Sequence, residues 1–208
     1  MKTTAELSSH DRILRAAKLL FAENGYENTS TVSIARNAGT SESQLMKHFG
    51  SKQGLLIAIL DLGWNGVVER IKVTSTTGSP VDRLVHILTA ATIEFEQDDQ
   101  FKVLAALEAR RVRKDSNEVI ISRGYRRFRE LVDNTLIEIQ SEGMIRPGLN
   151  FDAIRAAVLG IADGLWRDQI IASRAGISSS YGFDDMVNVF DFLFGVFQKQ
   201  PLQRAKAS

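Results

Sequence analysis

The chain has 208 residues, 44% of them apolar and 25% charged, with a formal net charge of +1. That composition supports a globular fold with a sizeable core, and the near-neutral balance neither requires nor excludes nucleic acid, since a module of ~50 residues can be offset by the rest. With no cysteine there are no disulfides, thiolate metal sites or cysteine nucleophiles, which fits a reducing cytoplasm. Met1 to His10 has no apolar signal core, and the apolar run from Leu55 stops at Asp61, short of the ~20 residues a membrane helix needs, so neither secretion nor a membrane partner is expected.

In chain order the apolar spacing predicts helices throughout. Ile13, Ala16, Ala17, Leu20 and Phe21 form one stripe on a helix over about Ser9–Asn24, capped by Ser8 or Ser9 and stopped by Gly25. Thr29, Ser30 and Thr31 can cap a second, short helix with Val32, Ile34, Ala35 and Ala38 on its core side, ended by Gly39. Ser41 caps a third, with Leu45 and Phe49 inward, and Ser51 caps a fourth that runs towards Val73. After a turn-rich connector to Pro80, helices are expected near Val81–Gln97, Phe101–Val112, Asn117–Glu142, Phe151–Ser173 and Phe183–Lys199. No period-2 segment argues for a strand. The fold class is therefore all-α, about nine helices.

The informative stretch is Thr31 to Lys52. Two short helices are joined by a four-residue turn whose Gly39 supplies the positive-φ corner. If Leu45 and Phe49 pack inward against Val32 and Ile34, then Ser43, Gln44, Lys47 and His48 lie outward. That is the plan of a helix-turn-helix, in which one face of the second helix holds the fold and the other enters the major groove.

Residues 12 to 56 resemble the DNA-binding domain of TetR-family regulators. The segments that carry the resemblance are Arg12-Ile13-Leu14 with Ala16-Ala17, Leu20 to Tyr26, Thr29-Ser30, Ile34 to Gly39, and His48 to Lys52 with Leu55-Leu56. The resemblance implies a three-helix reading head at 1–52 and a helical ligand-binding and dimerisation domain at 53–208. It implies a DNA-binding transcriptional regulator, a repressor released from an inverted-repeat operator by an unidentified small molecule. The DNA-contacting candidates are Thr31, Ser41, Ser43, Gln44, Met46, Lys47, His48 and Lys52. The family often has tyrosine where Met46 stands and a small residue at Gln44, so operator sequence does not transfer. Between Met1 and Lys52 seven cations face five anions, with Lys47 and Lys52 placed for phosphates and the Gln44 amide for an adenine.

For a family that encloses a ligand, Trp64, Phe101, Leu104, Glu108, Phe128 and Trp166 are the candidate lining residues. The final helix is apolar on more than one face, and the one before it carries small residues. Ala156, Ala157, Gly160 and Gly164 with Val187, Phe190, Phe194 and Phe197 are therefore expected to form a homodimer interface. An enzyme on a helical bundle is the rival reading. It lacks a carboxylate–histidine metal pattern, a phosphate-cradling glycine loop and a nucleophile elbow, so no catalytic site, cofactor or metal is expected. A helix-turn-helix that has lost DNA binding is the third, and salt-dependent binding to duplex DNA separates it from the first.

Overall fold

Serine caps set the start of each of the first three helices. The computed structural model describes residues 7–73, 78–108, 121–145, 148–178 and 181–195. Helix α1 is Ser9–Asn24, α2 Thr31–Asn37 and α3 Glu42–Phe49. The hydroxyls of Ser8, Ser30 and Ser41 accept the amides of Asp11, Ser33 and Gln44, satisfying donors that a helix N-terminus leaves open. Next come α4, Lys52–Val73, and α5, Pro80–Gln97. They are followed by α6, Asp99–Ala105, and α7, Arg123–Ser141, then α8, Phe151–Ala175, and α9, Phe183–Gly195. Every regular element among the described residues is helical, and none is long and apolar enough to cross a membrane.

One helix is shorter than its apolar pattern predicts. α6 stops at Ala105 rather than continuing towards Val112, and the amides of Leu107 and Glu108 turn back to the carbonyls of Leu104 and Ala105. The rest of that expected run, with the expected start of α7 at Asn117, lies outside the described residues.

The chain forms two compact units. The first holds residues 1–66 and 98–126, so its outline differs from a cut at residue 52. In it α1 packs on α2, α3 and α6. Its core holds Ile13, Phe21, Ile34, Leu45, Leu56, Trp64 and Phe101. Lys18 of α1 pairs with Asp98, whose other oxygen caps α6 by accepting the Phe101 amide. The second unit holds residues 67–97 and 127–208. There α5 packs on α9, and Phe95 meets Trp166 edge-on at 4.8 Å. The Trp166 indole donates to Thr92 Oγ1 (3.1 Å), which donates to the Leu88 carbonyl.

Candidate nucleic-acid interface

The turn between α2 and α3 is fixed by backbone and by one arginine. The amides of Ala38, Gly39 and Thr40 bond back to the carbonyls of Ile34, Arg36 and Ala35, with Gly39 at φ 62°. Arg12 of α1 donates from Nε to the Ala38 carbonyl (3.0 Å) and from a terminal nitrogen to the Leu7 carbonyl (2.9 Å). A charged donor on a helix-terminal carbonyl holds the corner to α1 as Leu45 and Ile34, both fully buried, hold it from inside. Val32 is not part of this core. It is 51% exposed, so its expected packing against Leu45 is corrected: Ile34 and Ala35 fill the inward side of a helix only seven residues long. Phe49 is half-buried and stacks on His10 at 4.9 Å.

With Leu45 inward, α3 presents Ser43, Gln44, Met46, Lys47 and His48 to solvent, and Ser41 and Glu42 are exposed at its start. His48 Nε2 is hydrogen-bonded to Ser9 Oγ (3.0 Å) and meets His10 edge-on, which ties the end of α3 to the start of α1. Thr31 donates its hydroxyl to Glu42 Oε1, linking α2 to α3.

Lys52 departs from the role expected of it. Its ammonium donates to the carbonyls of Tyr26 (2.8 Å), Thr29 (3.1 Å) and Glu27 (3.4 Å) and lies 4.3 Å from the centre of the Tyr26 ring. A lysine with three carbonyl partners is a strut for the α1–α2 loop. The phosphate assignment for Lys52 is therefore corrected, and Lys47 is the exposed cation of α3. The sequence does not show the bonds of Arg12 and Lys52, because backbone acceptors leave no residue signature, and it carries no mark of the bond between Glu42 and Thr31.

The expected ligand residues fall in both units. Trp64, Phe101, Leu104 and Glu108 belong to the first; Phe128 and Trp166 belong to the second. Trp64 meets Phe101 edge-on at 5.6 Å. Glu108 accepts the amide and the hydroxyl of Ser122 at the start of α7, while Asp61 accepts the Gly124 amide at 2.8 Å. Burial pushes the Glu108 carboxyl above its ordinary range, against the lowering effect of the Ser122 bonds. Five of these six residues are well packed side chains in their own units. Among the described residues no group of three acidic or histidine side chains gathers to hold a metal.

The expected dimer residues separate by burial. Ala156, Ala157, Gly160 and Gly164 are exposed along α8, and Val187 is half-buried. Phe190 and Phe194 are 0% and 2% exposed, stacked on each other within the single chain, so they are core and offer no surface to a second copy. The outward apolar residues of α9 are Val189 and Phe192, the latter 73% exposed. Phe197 lies outside the described residues.

A capped three-helix head with an exposed second helix beyond a glycine-cornered turn is the arrangement of a helix-turn-helix. Residues 13–59 match the family described as bacterial regulatory proteins, tetR family. Among curated relatives, the regulator HbdR of Aromatoleum sp. (strain CIB) is 28% identical over 140 residues, 65% of this chain and 59% of that protein. The match thus spans less than two thirds of HbdR's own length. UidR of Escherichia coli (strain K12) is 25% identical over 168 residues, 81% of this chain and 84% of that one. The crystal structure of FadR from Bacillus subtilis in complex with stearoyl-CoA shares the fold, with a TM-score of 0.70 at 19% identity, covering 90% of this chain and 96% of that chain.

Proposed function

We propose that this regulator is a homodimeric repressor that grips an inverted-repeat operator through α3 and is released by an amphipathic small molecule. The carrying observation is the outward face of α3, where Ser43, Gln44, Met46, Lys47 and His48 are exposed while Leu45 anchors the helix. Lys47 is assigned to phosphate and Gln44 to a base edge, with Ser41, Thr31 and His48 beside the backbone of the duplex. Residues 1–52 serve as the reading part, and the remainder serves for ligand binding and dimerisation.

Pairing of two copies is supported by the exposed small residues Ala156 to Gly164 of α8 and by Val189 and Phe192 of α9. A two-fold dimer matches a two-fold operator. For the effector, long-chain acyl thioesters are the first class to try, because the similar FadR structure holds stearoyl-CoA. Trp64, Phe101, Leu104 and Glu108 are the candidate residues within the first unit, and Phe128 and Trp166 are separate candidates within the second.

The test is selection of bound duplexes from a random pool by the full chain, repeated with acyl thioesters present. Recovery of an inverted repeat, lost as a thioester is added, is the expected result. Binding that shows no sequence preference at any salt concentration contradicts the reading. Sedimentation should give about twice 23.1 kDa.

A further inference from the structure

Glu42 is an anion on the surface offered to a polyanion. It is the first residue of α3, it is exposed, and its carboxylate makes no ion pair among the described residues. Its side-chain partner is the Thr31 hydroxyl, which donates to Oε1. That bond holds one oxygen and restricts the rotamers of the side chain, leaving Oε2 as a free acceptor in a fixed place. A carboxylate so placed is repelled by phosphates unless it meets a hydrogen-bond donor on a base edge. In the major groove the donors are the amino groups of cytosine and adenine, whereas guanine and thymine present acceptors. Adenine sets its N7 lone pair beside the amino group, and that lone pair repels a carboxylate. Cytosine does not.

We propose that Glu42, steadied by Thr31, selects cytosine at one position of each operator half-site. The inference rests on α3 entering the major groove, as in the proposed function, and it adds a specificity-determining residue to that function. Two structural roles for the same contacts make a competing prediction: an anion in the first turn favours the helix dipole, and the Thr31 bond ties α2 to α3. Those roles act on every DNA sequence alike. Base selection acts on one position.

The experiment uses the full chain and the duplexes recovered by selection. Each half-site position is varied through all four bases, and affinity is measured for wild type, Glu42→Gln, Glu42→Ala and Thr31→Val, with a thermal melt of each protein. One position should favour cytosine by about tenfold or more, with guanine and thymine the poorest. Glu42→Gln keeps the shape and the Thr31 bond at Oε1 but puts an amide donor where the free oxygen stood, so it should turn the preference at that position from cytosine to the bases that present acceptors, guanine and thymine. Glu42→Ala should make the four bases equal there. Thr31→Val should narrow the ratio of cytosine to the other bases at that position, read as a ratio so that any general loss of DNA affinity cancels. Equal losses on all four bases for both Glu42 variants overturn the inference and leave a structural tie. Selective binding with no cytosine position overturns the inference alone. Wild type without any sequence-selective binding overturns the proposed function, and the inference with it.

Discussion

Lys52→Ala separates a strut from a phosphate contact. The ammonium has two close carbonyl partners, on Tyr26 and Thr29, a longer one on Glu27, and the Tyr26 ring below it. Hydrogen bonds to a charged group contribute roughly 1.5–3 kcal/mol when well shielded. These are partly exposed, and the carbonyls regain water after truncation, so about 1 kcal/mol for each close bond is appropriate. The long bond adds a few tenths, and the ring contact about 0.5 kcal/mol. The total is about 2–3 kcal/mol. For a chain of this size each kcal/mol moves Tm by roughly 2–4 °C, so the melt should fall by about 4–12 °C. Circular-dichroism melts at one fixed protein concentration read this directly, since a dimer's Tm depends on concentration. Lys52→Met, which keeps the apolar stem, separates packing from charge. The slope of log affinity against log salt should stay unchanged, because no phosphate contact is removed. An unchanged Tm with a salt slope flatter by about one would refute the strut and restore the phosphate contact.

Gly63→Ala should lower stability by about 1–3 kcal/mol, read as the urea midpoint, because an added Cβ falls within the Phe101 ring; an unchanged midpoint would show that the ring can move aside. Glu108 has its folded pKa raised by burial, so its contribution is fully present below the ordinary 4.5 and is lost as pH rises through the folded value. Relative to Glu108→Gln, wild type should therefore lose stability on going from about pH 4 to pH 8, and parallel stability curves would contradict that sign. Phe192→Asp should yield a folded monomer in sedimentation, whereas Phe194→Asp should abolish the cooperative melt, since a charge at a 2% exposed site is buried without a partner. Asp98→Asn keeps an N-cap for α6 but removes the charge facing Lys18. It should change Tm by no more than a few degrees while reducing the loss of operator affinity that an effector causes; an equal loss in variant and wild type would exclude the pair from that coupling.

What the sequence made legible was local. Ser8, Ser30 and Ser41 mark helix starts because each cap bonds an amide three residues on, and Gly39 marks the corner because its backbone needs a positive φ. The inward role of Leu45 follows from the 3.6-residue period of α3. Val32 misled because two turns of α2 give the period too little length to tell Val32 from Ile34. α9 misled differently: Met186, Val189, Phe190, Phe192 and Phe194 are apolar on several sides, and only the packing on α5 shows that Phe190 and Phe194 are inside and Phe192 outside. Lys52 and Arg12 escaped because their partners are carbonyls of distant loops, which no spacing rule encodes.

The proposed function implies how an effector would act, because residues 98–108 group with α1 to α3. Trp64, Phe101, Leu104 and Glu108 share a compact unit with α1 to α3. Asp98 joins the two sets, since one carboxylate oxygen pairs with Lys18 of α1 and the other accepts the Phe101 amide. Gly63 lets α4 approach the Phe101 ring, and the Trp64 ring rests on that ring at 5.6 Å. A ligand that displaced Phe101 would therefore disturb the cap of α6, the Lys18 pair and the α4 contact together. The half-buried pair, still in reach of water, contributes on the order of 1 kcal/mol to stability on its own. A modest contact of this kind suits a coupling of about 1–3 kcal/mol, because a much stronger one would hold the head rigid against any ligand.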